Sequence, residues 1–69
     1  MNEQTIGEIA GEVWRYLEKN GGRADITSVR NSVKARDNVS PDLGTGWLAR
    51  EGKIFFTTEQ GTVHVSIRR

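Results

Sequence analysis

Two basic side chains, Arg30 and Lys34, lie four residues apart in a segment predicted to be helical, so they share one face of that helix. Thr27 and Ser28 stand at its predicted start, where hydroxyl groups and free backbone N–H groups can bind an anion. These four residues have the chemistry of phosphate anchors. A solvated helix face carries the same residue types and is the commoner explanation of such a pair.

Further candidates for nucleic-acid contact lie in a third predicted helix and in the C-terminal segment: Ser40, Thr45, Ala49, Arg50, Lys53, Gln60 and Arg68. In a recognition helix, Thr45 and Ala49 would meet thymine methyl groups, and Arg50 would reach a phosphate or a guanine edge. Bases are read best by Arg, Lys, Asn or Gln, whereas the predicted outer face of this helix is small and partly acidic. That face comprises Asp42, Thr45, Gly46 and Ala49. The residues therefore favour phosphate contact over base reading.

Four glycines, at positions 7, 11, 44 and 46, fall inside predicted helices, where each costs about 0.5–1 kcal/mol relative to alanine. Close approach of another backbone would explain that cost, either within the domain or from a second subunit. Gly7 and Gly11 flank the apolar stripe of the first helix, and Gly46 lies on the outer face of the third. Together with Phe55, which the strand pattern turns outward, they form a candidate protein interface.

The sequence carries no residue pattern typical of an enzyme. It has no Cys, and its single histidine, His64, has no second histidine with which to hold a metal ion. It also lacks paired carboxylates in a recognisable motif, a glycine-rich phosphate loop and a hydroxyl group with an identifiable base. We expect no catalysis, no metal, no cofactor and no small-molecule substrate.

The chain has 69 residues, which predicts a single domain over residues 1–69 near the lower size limit for independent folding. Its net charge of +1 divides unevenly, with three basic against five acidic residues in 1–25 and seven against four in 26–69. No apolar run of about 18 residues occurs, and residues 1–5 are polar rather than signal-like. We expect a soluble, cytoplasmic protein without membrane contact.

Apolar residues at helical spacing define the first predicted helix: Ile6, Ile9, Ala10, Val13, Trp14 and Leu17. Thr5 is its predicted N-cap, with Glu8 completing a capping box. The Asn20-Gly21-Gly22 sequence ends this helix, since glycine readily adopts the left-handed conformation found at helix C-termini.

A short strand over residues 24–26 and two more helices are predicted to follow. Thr27 would cap the second helix, which buries Val29 and Val33 and is broken at residues 37–38. The third begins at Ser40, with Pro41 in its first turn. Its predicted buried positions are Leu43, Trp47 and Leu48, and Gly52 ends it.

Alternating residues over 53–58 and 62–67 predict a β-hairpin. Its inner face should contain Ile54, Phe56, Thr58, Val63, Val65 and Ile67. These residues share a face only when the numbers of paired residues sum to an odd value, which requires a loop of even length. A two-residue Gln60-Gly61 turn satisfies this requirement.

This order of elements predicts a small α+β fold, a winged helix-turn-helix with three helices and a C-terminal two-stranded hairpin as the wing. The string Gly46-Trp47-Leu48-Ala49-Arg50-Glu51-Gly52-Lys53-Ile54 resembles the signature of a family of uncharacterised prokaryotic winged helix-turn-helix domains. The opening Ile6-Gly7-x-x-Ala10-Gly11-x-Val13-Trp14-x-x-Leu17 is similar to that family's first helix, and the resemblance spans residues 5–67. It implies the fold and, by association, a DNA-binding role.

Two functional hypotheses follow. In the first, the protein is a DNA-binding domain of transcription-regulator type, dimeric, that holds double-stranded DNA mainly by its phosphate backbone. In the second, it is a protein-interaction or homodimerisation module without nucleic-acid binding. The weak net charge favours neither strongly.

Overall fold

A computed structural model describes residues 3–69 of the chain. The elements are α1 (Glu3–Lys19), β1 (Arg23–Asp25), α2 (Ile26–Ser32), α3 (Pro41–Arg50), β2 (Ile54–Glu59) and β3 (Thr62–Ile67). This order confirms the predicted α+β architecture of three helices and a C-terminal hairpin. Residues 1 and 2 of the polar stretch at the N-terminus lie outside the described residues.

Helix α1 buries the predicted stripe, with Ile9, Val13 and Leu17 fully enclosed. The predicted N-cap is wrong, because the helix already includes Glu3 and Thr5 lies inside its first turns. Thr5 is buried there, and its hydroxyl donates to Asp37 Oδ2 at 3.2 Å. A threonine that looked like a cap therefore ties α1 to the loop between the other two helices.

Helix α2 is capped by Asp25 rather than by the predicted Thr27. Asp25 Oδ1 accepts from the Ser28 backbone N–H at 2.9 Å, and Oδ2 accepts from the Ser28 hydroxyl at 2.8 Å. These bonds to Ser28 lower the pKa of the Asp25 carboxyl, since they stabilise its charged form. The helix ends at Ser32, so Lys34 lies beyond it and does not share a helical face with Arg30 as predicted.

A tight turn over residues 36–39 joins α2 to α3. Asp37 and Asn38 both have positive φ, 52° and 62°, and Arg36 and Val39 pair on either side of them. Val39 is fully buried, a core position that the sequence pattern did not indicate. The core as a whole lies between α1, α2, α3 and the sheet, and the apolar residues that form it are Ile9, Ala10, Val13, Leu17, Val29, Val33, Val39, Leu48, Ile54, Val65 and Ile67.

The hairpin has the predicted register, with Ile54 opposite Ile67 and a two-residue turn at Gln60 and Gly61. Both turn residues have positive φ, 53° and 80°, as a type I′ turn requires. Strand β1 pairs with β3, so the sheet is three-stranded in the order β1-β3-β2 and the wing is wider than the two strands predicted. Phe56 was predicted to be buried but is 46% exposed. The hairpin's base reaches the core, whereas its outer half extends past it.

Helix α3 is rotated relative to the prediction. Of the three residues expected in the core only Leu48 is buried, whereas Leu43 is 42% and Trp47 43% exposed. The buried positions of the helix are instead Pro41, Gly44, Thr45 and Leu48. The most apolar side of this helix therefore faces outward.

Two small residues explain how α3 packs on this less apolar side. A Cβ atom at Gly44 would lie 2.8 Å from Ile9 Cγ2 and 2.9 Å from the Ala10 backbone nitrogen, so the glycine lets the two helices touch. The buried hydroxyl of Thr45 donates to the Pro41 carbonyl at 2.9 Å, which satisfies it within the helix.

Candidate docking surfaces around the third helix

The outward side of α3 consists of Asp42, Leu43, Gly46, Trp47 and Arg50, which we call the outer face. Leu43 and Trp47 are four residues apart and form one exposed apolar ridge. Arg50 is the single cation of this face. A surface of this kind offers apolar contact area with few hydrogen-bond donors for base edges.

Two grooves flank this helix. On one side, the α3–wing groove has a volume of about 280 Å³ and is lined by Ile26, Arg30, Asp42, Thr45, Gly46, Phe56 and Val63. The Arg30 guanidinium spans it, donating from Nε to Asp42 Oδ1 at 2.9 Å and from Nη2 to Asp42 Oδ2 at 3.1 Å. The hydrogen bonds and charge of Asp42 raise the pKa of Arg30. The predicted phosphate anchor is thus already paired with a carboxylate.

On the other side, the α1–α3 groove has a volume of about 610 Å³. Its lining residues are Gly7, Ala10, Gly11, Trp14, Arg15, Trp47, Leu48, Glu51, Gly52, Lys53 and Arg68. Arg15, Lys53 and Arg68 make no ion pair with any of residues 3–69. The groove therefore combines two tryptophans with three uncompensated cations and one carboxylate.

The predicted interface glycines line the two grooves rather than the interior, Gly7 and Gly11 in the α1–α3 groove and Gly46 in the α3–wing groove. A Cβ at Gly7 or Gly46 would meet nothing within 4 Å, and one at Gly11 would meet only the Arg15 guanidinium, at 3.4 Å. Tight packing within the domain explains Gly44 alone of the four helical glycines. Gly7 and Gly11 instead form an open floor along α1.

Several predicted nucleic-acid contacts are not available on the surface. Thr45 is buried, and Ala49 is partly buried against the core, so neither lies on the outer face as predicted. Ser28 is occupied by the Asp25 cap. The predicted contacts that are exposed include Thr27, Lys34, Ser40, Arg50, Lys53, Gln60 and Arg68. They are spread over three regions of the fold and do not form one band.

The outer side of the hairpin carries Phe55, which is 36% exposed as the alternation predicted. The Arg68 guanidinium carbon lies 5.2 Å from the centre of its ring, in the range of a cation–π contact. The Arg68 backbone N–H donates to the Lys53 carbonyl at 2.8 Å, so Lys53 and Arg68 face each other across the base of the hairpin. Two basic residues thus occupy opposite backbone positions at the edge of the α1–α3 groove.

Sequence reasoning missed the exposed Leu43–Trp47 ridge and the exposure of Phe56. A signal for the ridge existed, because Leu43, Trp47 and Gly46 share one side of a helix whose other side carries Gly44 and Thr45. Choosing between the two sides requires knowing that α1 approaches Gly44 closely. That contact is not visible in one sequence.

Helices α2 and α3 form a helix-turn-helix, and the hairpin that follows α3 is a wing. The fold defines a winged helix-turn-helix domain. Residues 1–67 match the family model described as Winged helix-turn-helix domain (DUF2582), and the chain belongs to that family. This confirms the resemblance seen in the Gly46–Ile54 string. No curated protein matches the chain.

No helix within residues 3–69 is long and apolar enough to cross a membrane.

Proposed function

We propose that this protein is a non-catalytic winged-helix module that docks onto another protein through the outer face of α3. One observation carries the proposal: Leu43 and Trp47 form an apolar ridge on the helix that other winged-helix domains insert into DNA. Full burial of a large apolar side chain is favourable by roughly 1.5–3 kcal/mol of free energy. A protein partner that covers the exposed parts of Leu43 and Trp47 would add the share of this free energy that folding alone does not provide. Tryptophan is also enriched among residues that dominate protein–protein binding energy.

The charges around α3 support the same choice. Within residues 3–69, Arg30 is paired with Asp42, which leaves the guanidinium of Arg50 as the one uncompensated charge of the outer face. A duplex offers a dense row of phosphates, which favours a continuous cationic surface. The described surface instead sets a single free cation beside an exposed apolar ridge, which suits a protein interface better.

The second candidate function is binding of double-stranded DNA. In this case the protein would act as a dimer and regulate transcription. Two observations favour it: the family's helix-turn-helix fold and the cations Arg50, Lys53 and Arg68, which lie at the end of α3 and at the base of the hairpin and lack ion-pair partners within residues 3–69. Such a complex would rest on phosphate contacts and would weaken steeply with added salt.

Site-specific photo-crosslinking in cells tests the first candidate. A photo-reactive amino acid replaces Leu43 in one variant and Glu18, an exposed position on α1, in a matched control. We expect discrete protein adducts from position 43, removed by protease but not by nuclease, and none of these from position 18. Adducts from position 43 that contain nucleic acid, or the same adducts from both positions, would contradict protein docking.

Titration of a random-sequence duplex at low salt tests the second candidate. Binding that weakens with salt and is lost in an Arg50→Glu, Lys53→Glu, Arg68→Glu triple variant would support DNA as the ligand. Protein docking predicts no saturable binding to that duplex. Circular dichroism of the triple variant checks that the loss does not come from unfolding.

A further inference from the structure

The α1–α3 groove carries an excess of positive charge that the domain itself does not offset. Arg15, Lys53 and Arg68 line it against a single carboxylate, Glu51. Elsewhere in residues 3–69, Arg23 pairs with Glu59, Arg30 with Asp42, and Arg36 with both Glu8 and Glu12, whereas the other unpaired cations, Lys19, Lys34, Arg50 and Arg69, do not line this groove. The groove is therefore the part of the described surface where cations converge without partners.

The hairpin register makes this excess unfavourable in the isolated domain. The backbones of Lys53, just before β2, and Arg68, just after β3, are opposite each other, as the 2.8 Å bond from the Arg68 N–H to the Lys53 carbonyl shows. Like charges opposite each other in an antiparallel pair are destabilising. An anionic group bound at this edge would relieve the repulsion, so the geometry favours an acidic ligand.

The floor and wall of the groove point to a helical ligand. Gly7 and Gly11 are one helical turn apart, and since only the flexible Arg15 guanidinium lies near their Cβ positions, another backbone can lie close along α1. Trp47, 43% exposed, forms an apolar wall that can receive side chains at i, i+3 and i+4 of an amphipathic helix. Apolar and acidic residues on adjoining sides of that helix would match the tryptophans and the cations.

A second copy of this chain fits the groove poorly. Two grooves facing each other would bring like-charged rims together. The acidic residues in the middle of α1, Glu8 and Glu12, are already held by Arg36, at 3.4 and 2.7 Å. A nucleic acid would make no use of the glycine floor along α1, which allows close approach of a helix.

We propose that the α1–α3 groove binds an acidic amphipathic helix of a partner protein. Its apolar residues would pack on Trp14 and Trp47, and its carboxylates would pair with Arg15, Lys53 and Arg68. This inference rests on the proposed protein-docking function and names the partner's chemistry. Trp47 belongs both to the outer face and to this groove, so one partner can cover the two surfaces together.

NMR titration of the ¹⁵N-labelled protein with a synthetic peptide tests this proposal. The peptide has about 18 residues, or five helical turns, with leucines along one side and glutamates beside them. A control peptide carries lysines in place of the glutamates, and a single-stranded oligothymidine of similar length is a third probe. We expect the acidic peptide to shift the Gly7 and Gly11 amides and the Trp47 indole N–H, and to bind at least tenfold more tightly than the lysine peptide.

Two variants separate binding from stability. Reversing both Lys53 and Arg68 to Glu should weaken the acidic peptide by about tenfold or more, whereas reversing Lys19 and Lys34, exposed cations outside the groove, should change its affinity by less than about twofold. Gly7→Leu places a side chain on the floor at a position where a Cβ meets nothing within 4 Å, so it should weaken peptide binding while leaving the thermal midpoint unchanged or raised.

Three results would overturn the groove proposal: equal binding of both peptides, tighter binding of the oligothymidine at the same residues, or no shift of the groove resonances by the acidic peptide. If the groove resonances stay unchanged while position 43 still crosslinks to protein, protein docking stands and the acidic helix is the wrong partner. If position 43 gives no protein adduct either, both proposals fail.

Discussion

The two grooves beside α3 share the helix but differ in how their charges are satisfied. In the α3–wing groove, Arg30 and Asp42 form a two-pronged ion pair that neutralises both groups. In the α1–α3 groove, Lys53 and Arg68 face each other with no carboxylate bridging them. The charges of the first groove are paired within the domain, whereas the second groove has unpaired cations that an acidic partner could neutralise.

This difference shows why residue type alone was a poor guide to the docking surface. Arg30 and Lys53 are both exposed cations near α3, and both were predicted from the sequence to contact nucleic acid. Only the fold shows that Asp42 reaches Arg30 across twelve residues of chain. A cation's availability depends on long-range neighbours that are not visible in local spacing.

The largest predicted effect concerns the two sides of α3. Leu48→Ala should cost about 2–4 kcal/mol in free energy of unfolding, because it opens a cavity in the core. Leu43→Ala should stay within about 0.5 kcal/mol, because that side chain is 42% exposed and alanine favours the helix. Urea unfolding of both variants measures the difference. Equal losses would show that Leu43 is a core residue, as its spacing had predicted, and would remove the exposed ridge.

A smaller contrast is expected between two glycines of the same helix. Gly44→Ala should destabilise the domain by about 1–3 kcal/mol, because the new methyl group would overlap Ile9 and the α1 backbone at Ala10. Gly46→Ala meets nothing within 4 Å and should stabilise it by about 0.5–1 kcal/mol through helix propensity. Thermal unfolding of the pair checks the opposite signs. A stabilising Gly44→Ala would mean that α1 and α3 do not touch.

The fold was largely predictable because its signals are local. The apolar stripe of α1, the Ser40-Pro41 start of α3 and the Gln60-Gly61 turn each depend on residues close in sequence. Helix caps were less predictable. Thr5 and Thr27 are both suitable N-cap residues. Thr5 is not a cap because α1 already includes Glu3, and Thr27 is not a cap because Asp25 caps α2.

The docking surface was less predictable because it depends on which side of α3 meets α1. The spacing of apolar residues predicts that Leu43 and Trp47 are buried and that the opposite side of the helix faces outward. In the structure Gly44 and Thr45 are buried instead. Gly44 allows α3 to contact α1 closely, and the Thr45 hydroxyl can be buried because it donates to the Pro41 carbonyl. Of the predicted interface residues, Gly7, Gly11, Gly46 and Phe55 do lie at or near the surface, and their role as an interface stays a prediction.

Acid should destabilise α2, because the Asp25 carboxylate caps this helix. Helix α2 carries Ile26 and Arg30, which line the α3–wing groove. The folded-state pKa of Asp25 is lowered by its hydrogen bonds to Ser28, so its contribution to stability is complete above its unfolded pKa and is lost as pH falls through the lower folded pKa. Asp25→Ala should therefore lower the thermal midpoint at neutral pH, and the deficit should shrink at about pH 3.

Thr27→Ala is the matched control for this capping effect. Thr27 is exposed and does not cap the helix, so its removal should leave the midpoint unchanged at both pH values. A deficit for Asp25→Ala that persists undiminished in acid would show that its contribution does not depend on the carboxylate charge.

The smallest effect concerns the like charges at the edge of the α1–α3 groove. Lys53→Glu replaces a repulsive cross-strand pair with an attractive one opposite Arg68, so it should stabilise the domain by about 0.2–1 kcal/mol at low salt. Screening by salt should reduce that gain. Lys34→Glu makes the same change of charge at an exposed site outside this groove and should shift stability by less than about 0.5 kcal/mol. If Lys53→Glu destabilises the domain, Lys53 and Arg68 do not repel each other in the folded state, and the groove has no electrostatic need of an acidic partner.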